Sequence, residues 1–402
     1  MVDTPKPLSQ QLLARRLKKR ERLSSMLSQG RRGKGARRQF KFKPIAFTSD
    51  GAKFDESGGL TARTPLTEGH YTVGKVEVEC RHLSAPADFT FSSNMDGVLR
   101  FVYELRRQVF VERAFLGDPN PSQPDIYINL DDVSRIDSPA ALILTAELDR
   151  IRKILGMRPV LDDHHWLPEI RNTLYSLGLH NVVQARRRDQ TVAIQKSKSL
   201  SDDRFQIIPM RSGNSSSNDL ARQIRDELYE ACKPFSAARP QFYNVLVEAF
   251  NNTREHAYPS GSGEDGIPSI GGWWAGAIVD HHRGRFELTV YDQGIGIPER
   301  FSRQHPEAKQ ERLQVGGSGD MLVLQRAAEH GASSSGLPGR GNGLWQMTDL
   351  TKSLPGSEVQ FISLWGSVAY RNGIMNKAFI PPQRFCGTMI VWSVPFRSSE
   401  PG

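Results

Sequence analysis

The stretch NVLVEAFNNTREHAY, residues 244–258, restricts the possible folds of this chain more than any other. Wound as a helix, it places Glu248, Asn252 and His256 at steps of four, so their polar groups leave from one stripe. Leu246, Ala249, Phe250 and Thr253 fall beside that stripe, facing a core. A carboxylate, a neutral amide oxygen and an imidazole in one row suit a metal-nucleotide site. The amide oxygen of Asn252 is a hard ligand that can complete the octahedron of a magnesium ion already held by phosphates, and it adds no charge. Glu248, one turn earlier, is placed to orient a water or hydroxyl against a terminal phosphate. An amphipathic surface helix carries the same pattern, so the two glycine-rich stretches downstream decide between the readings.

WWAGAIVD and FELTVYD flank the turn HHRGR and predict a hairpin whose second strand runs into DQGIGIP. Asp292 closes that strand, and Gly294 and Gly296 come next in a tight turn. A carboxylate at a strand end can accept a hydrogen bond from the exocyclic amine of adenine, while glycines let the backbone approach the base. Residues 298–338 read as a long irregular segment containing VGGSGDM and GASSSGLPG, with a helix at 321–329 between them. Its composition fits a mobile lid over phosphates or a plain surface loop. GRGNGLWQMTDLTKSL then supplies Gly339, Gly341 and Gly343 directly before a helix, where freed backbone amides form an anion site. No G-x-x-x-x-G-K-[ST] occurs, which excludes a Walker loop, and the glycine spacing does not fit a dinucleotide fingerprint. GSEVQFISLWGSVAYRN and GTMIVWSVPF read as antiparallel strands. Gly387 and Thr388 open the last of them, where the hydroxyl either reaches a phosphate or serves as an ordinary strand residue.

At 402 residues the chain has room for two or three domains. No run of eighteen apolar residues exists and no apolar segment follows the N-terminal charges, so neither a membrane span nor a secretory signal is expected. Cys80, Cys232 and Cys386 are odd in number and widely spaced, which points to a reducing, cytoplasmic compartment. Residues 1–43 carry fourteen Lys and Arg against Asp3 and Glu21, a balance of +12, while the chain as a whole stands at +9. The basic character therefore belongs to a tail, residues 1–45. LSQQLLARRLKKRERLSSML predicts a short basic helix there, followed by the glycine-broken GRRGKGARRQFKFK. The tail is either a solubilising arm or an arm that binds phosphates of nucleic acid or an acidic partner. Residues 46–70, rich in Gly, Thr and Ser, read as a linker.

A first globular domain is expected over residues 71–195. YTVGKVEVEC alternates like a strand, Asn94 caps a helix over 94–114, DIYINL is a strand, and Ser138 with Pro139 opens a helix to Leu155. Residues 158–161 read as a short strand and 168–177 as a helix closed by Gly178. Strands alternating with helices imply a mixed α/β sheet. INLDDVSRIDSPAALILTAELDRIRKILGMRPVLDD and PEIRNTLYSLGLHNVV resemble a STAS domain, the fold of the anti-anti-sigma factors. In phosphorylatable members Asp-Ser-Ser-Gly occupies the turn that holds Asp137 and Ser138 here. Pro139 stands where the phosphorylated serine would be, which leaves Ser138 as an adjacent hydroxyl and does not support a phosphate switch at this site. Asp137 or Ser138 capping the next helix is the simpler expectation. Residues 186–202 read as an interdomain joint or edge strand, RFQIIPM as a strand, and 219–232 as a helix.

Residues 204–396 resemble the GHKL ATPase superfamily, which includes sensor histidine kinases, gyrase B, MutL and anti-sigma-factor kinases. Four boxes stand in family order: Glu248, Asn252 and His256; Asp292, Gly294 and Gly296; Gly339, Gly341, Gly343 and Leu344; Gly387 and Thr388. The resemblance implies a Bergerat α/β sandwich over residues 200–397, with ATP as ligand and magnesium on Asn252. It further implies adenine read by Asp292 and the γ-phosphate near the 339–343 glycines. Glu248-Ala249 and His256-Ala257-Tyr258 are closest in form to the anti-sigma-factor kinases. No histidine sits on a dimerising phosphoacceptor helix, which separates the chain from sensor kinases. Two functions are expected. In one, ATP binding with slow hydrolysis or phosphoryl transfer to a serine switches contact with a protein partner, a STAS-type or sigma-like regulator, with Glu248 as general base. In the other, a nucleotide-sensing module without turnover grips nucleic acid through residues 1–43. His256 reads as a buttress rather than a proton carrier, a homodimer is open to either function, and neither involves a membrane.

Overall fold

A computed structural model describes residues 66–73, 76–112, 125–155, 160–161, 163, 165–179, 186–187, 205–213, 218–232, 239–259, 270–315, 318–329 and 343–396. The basic tail, most of the expected linker, and Gly339 and Gly341 lie outside these residues. The described chain is a mixture of helix and sheet.

The N-terminal part contains, in order, β1 (Leu66–Val73), β2 (Val76–Ser84), the short β3 (Asp88–Phe89), helix α1 (Phe91–Arg106) with a wide π-type extension over Arg107–Glu112, β4 (Asp125–Asn129) and β5 (Arg135–Ile136). Helix α2 (Ser138–Leu155), β6 (Val160–Leu161), α3 (Pro168–Ser176) and β7 (Arg186–Arg187) complete it. β1 and β2 pair antiparallel, and β4 adds in parallel beside β2. Residues 66–70, expected in the linker, belong to β1, because LTEGHYTV finds a full antiparallel partner in VEVECRHL. Thr90, not Asn94, caps the start of α1. Asn94 interrupts it with non-helical φ/ψ and accepts the Gly97 amide at 3.2 Å, so it caps the second, straighter segment. Helix α2 has the expected bounds. Asp137 caps it, accepting the Ala140 amide at 3.1 Å, and Ser138 is buried with 2% exposure.

The C-terminal part runs β8 (Phe205–Gly213), α4 (Asn218–Ala231), α5 (Arg239–Asn252), β9 (Trp273–Asp280), β10 (Arg285–Asp292), α6 (Ile297–Gln304), α7 (Pro306–Val315), α8 (Gly319–Glu329), α9 (Gly343–Ser353), β11 (Glu358–Leu364), β12 (Gly366–Arg371), β13 (Ile374–Phe379) and β14 (Phe385–Pro395). Its strands form one antiparallel sheet in the order β13-β12-β11-β14-β10-β9-β8. Alternation along β10 sends Phe286, Leu288 and Val290 to one face and Tyr291 to the other. The first face is covered by α4, α5, α8 and α9, through residues such as Leu228, Phe250, Leu324 and Met347. The reverse face meets the N-terminal part: α2 packs on β9 and β10, and one core joins Phe101, Leu105, Leu144 and Leu148 to Trp274, Tyr291 and Met389. No helix among the described residues is long and apolar enough to cross a membrane.

Residues 298–315, expected to be irregular, fold as α6 and α7, and the helix expected at 321–329 is α8. Ion pairs explain α7, which lacks an apolar stripe: Arg312 bonds Glu299 at 2.7 Å and Asp320 at 2.6 Å, tying three helices together. The GASSSGLPG stretch, expected as part of a lid, lies outside the described residues.

Candidate functional site

Helix α5 forms because Phe242, Val245, Leu246, Ala249 and Phe250 recur at three- and four-residue steps, and all are buried. Phe250 stacks on Trp273 with ring centroids 3.9 Å apart, which fixes the rotation of the helix on the sheet. Glu248 and Asn252 therefore lie on its half-buried flank, and His256, in the turn that follows, is half-buried as well. The helix departs from the expected regular course after Asn252, widening into a π-type turn over Thr253–Ala257. Such turns push a loop of backbone outward. Here the displaced backbone meets the Asp292 turn. The Ile295 amide donates to the Ala257 carbonyl at 2.8 Å, and the Gln293 amide donates to the Tyr258 hydroxyl at 2.8 Å, which in turn donates to the Gly272 carbonyl at 2.6 Å. Gly294 sits so close that a Cβ would stand 2.4 Å from the Ala257 carbonyl oxygen. Any side chain there would force the backbones apart.

Asp292 is buried at the end of β10 and accepts the Gly294 amide at 2.8 Å, so its carboxylate holds the adjoining turn. Its cross-strand partner on β14 is Thr388. Gly387, at φ +88°, is pressed against the Asp292 carbonyl, where a Cβ would come within 1.9 Å. Thr388, whose hydroxyl the sequence offers to a phosphate, lies beside Asp292, because directly opposed residues of an antiparallel pair project to the same face. Ser363, which belongs to no sequence motif, completes this corner. Its hydroxyl donates to the Gly387 carbonyl at 2.8 Å, lies 3.3 Å from the Thr388 hydroxyl, and accepts the Ile297 amide at 3.0 Å. Gly296, at φ +85°, passes directly over Ser363 and Leu364.

Gly343 is the first residue of α9 and the described glycine of the third motif. A Cβ on it would lie 2.9 Å from Glu248 Oε2 and 3.2 Å from Asn252 Nδ2. The N-terminus of α9, with its outward amides, thus abuts the polar stripe of α5. Leu344 turns to the apolar core between helix and sheet and anchors the helix. The structure brings Glu248, Asn252 and Gly343 together at one end of α5, and Asp292, Gly294, Gly296 and Thr388 together at the strand ends. The π-type turn between Asn252 and Tyr258 links the two groups.

Burial pushes the Glu248 carboxyl above its ordinary range, and the nearby charge of Glu255 adds to the rise. Burial holds His256 below its usual value, helped by the Arg300 guanidinium on α6, and this favours the neutral imidazole. Tyr258 is pushed up by burial and by the charge of Asp292, so it stays a hydroxyl. Among the described residues no group of three or more His, Cys, Asp or Glu could hold a metal ion. One amide and one carboxylate beside a helix N-terminus fit a magnesium ion carried in by phosphates and mostly hydrated, rather than a protein-caged metal. Scans against protein families and against curated proteins find no match to this chain.

Proposed function

We propose that the chain binds Mg·ATP in a GHKL-type Bergerat sandwich and uses it to switch contact with a protein partner, with slow hydrolysis or transfer to a partner serine as the chemistry. The N-terminal part, in this reading STAS-like, regulates it in cis. The observation that carries the proposal is the close approach of Gly343 to Glu248 and Asn252. Backbone amides, a carboxylate and a side-chain amide side by side are the groups a polyphosphate with magnesium would use, which supports the reading. Asp292 and Thr388, adjoining on the same sheet face, supply an acceptor and a hydroxyl for the amine edge of a purine. Asn252 would be the protein's ligand to magnesium, which when bound neutralises charge on the phosphates. Glu248, its proton affinity raised by burial, is suited to take a proton from an attacking water or hydroxyl. His256, kept neutral by burial beside Arg300 of α6, has a structural rather than a proton-carrying part in this reading.

The test is phosphate release from labelled ATP by wild type and Glu248→Gln, together with labelling of candidate STAS-type partners. Turnover falls by about 100-fold or more in the variant while ATP binding is kept. Equal release by both proteins, with no labelled partner, refutes the assigned chemistry.

A further inference from the structure

The carboxylate proposed to face the base is flanked by two residues held from the other side of the sheet. Tyr291 precedes Asp292 and turns toward α1 and α2. Gln293 comes directly after it, and its side chain reaches the same place: Nε2 donates to Glu147 Oε1 at 2.8 Å. Arg106 donates to that oxygen at 2.6 Å and to the Tyr291 hydroxyl at 3.1 Å, while Arg150 donates to Glu147 Oε2 at 2.5 Å. Tyr291 donates onward to the Cys386 carbonyl at 3.0 Å, immediately before the Gly387-Thr388 pair. Glu147 is fully buried, and Arg106 and Arg150 are 4% and 2% exposed. Burial disfavours the Glu147 carboxylate, but the two guanidiniums outweigh it and hold the group ionised. Charges this deep are tolerated only in a narrow set of geometries, so each member of the network fixes the next. Gln293 is consequently gripped twice, its main chain by Tyr258 on the site side and its side chain by Glu147 on the reverse side.

We propose that Glu147 is a positioning residue for the base end of the site, acting through Gln293, so that nucleotide occupancy and the seating of α2 on the sheet strengthen each other. The proposal rests on the nucleotide reading and adds its regulation. By linkage, a partner that draws the N-terminal part off the sheet weakens nucleotide binding, and bound nucleotide tightens α2 by the same factor. The experiment uses the full chain, a fluorescent ATP analogue with magnesium, and amide hydrogen exchange over residues 138–155 with and without ATP. In wild type, ATP raises protection in that helix. Gln293→Ala still folds, melting a few degrees lower for the loss of one buried hydrogen bond, binds the analogue about tenfold more weakly, and loses the ATP-induced protection. Glu147→Gln, which still accepts from Gln293 but pairs poorly with the arginines, falls between the two; if it does not fold, Gln293→Ala decides alone. Wild-type affinity and wild-type protection in Gln293→Ala overturn the proposal. So does a wild type that binds ATP without added protection, which leaves the nucleotide reading standing. Absence of any uptake by wild type overturns both.

Discussion

On the side of α4, α5, α8 and α9, the strands present Phe286, Leu288, Val290 and Trp392, and polar groups gather only at the ends, around Glu248, Asn252, Asp292 and Thr388. On the reverse side, over the same strand ends, α1 and α2 bury Arg106, Glu147 and Arg150. These two chemistries do different work. Apolar packing stabilises in proportion to the area removed from water. A buried ion network returns little net stability, since desolvation offsets attraction, yet it tolerates few arrangements. The contrast assigns the placement of the Asp292 turn to the ion network, while stability comes from the apolar packing that covers both faces of the sheet.

Substituting each face in turn is the strongest way to break that contrast. Phe250→Ala removes the ring stacked on Trp273 and costs about 3–5 kcal/mol, measured by denaturant unfolding. Replacing the whole reverse-face triad, as Arg106→Met with Glu147→Leu and Arg150→Met, leaves stability within about 1 kcal/mol of wild type. A loss as large as that of Phe250→Ala would make the network a stability element and erase the distinction. Next in size is a pair of glycines. At Gly294 a methyl collides with the Ala257 backbone, so Gly294→Ala costs about 1–3 kcal/mol. At Gly343 it meets the movable end of Glu248, so Gly343→Ala changes stability by about 0.5 kcal/mol or less while weakening nucleotide uptake. Paired melts and titrations separate the two.

The smallest effect concerns pH. Burial, with the charge of Asp137 adding to it, pushes the Glu287 carboxyl on β10 up to about 8. The folded value lies above the unfolded one, so the stability this group contributes is complete below the ordinary glutamate range and is lost as pH rises through about 8. Glu287 keeps some contact with solvent, which limits the effect to about 1 kcal/mol. Thermal melts of wild type should decline by a few degrees relative to Glu287→Gln as the solution goes from mildly acid to mildly alkaline. Parallel curves would remove Glu287 from the account.

Much of the local structure is legible in the sequence because single elements carry their own signals. Helix α2 opens at Ser138-Pro139 as expected, the hairpin of β9 and β10 turns at its glycine, and Asp292 closes its strand. Helix α7 escapes a sequence reading because PEAKQERLQV has no apolar period and Leu313 stays exposed; ion pairs from Arg312 to Glu299 and Asp320 hold it against α6 and α8. The meeting of Gly343 with Glu248 is legible only as motif order. Glu147 is not legible at all, since a charged residue in ELDRIRK reads as a solvated face, and nothing local announces a partner at Gln293. The placing of Thr388 beside Asp292 comes from strand register, which short motifs do not encode.

The central claim is that Asn252 and Asp292 serve one ligand. Isothermal titration calorimetry with Mg·ATP on the full chain, on Asn252→Ala and on Asp292→Asn tests it most directly. The predicted result is one equivalent taken up by wild type and uptake weakened by about tenfold or more in each variant. No heat of binding in wild type, or two variants that bind as wild type does, would contradict it.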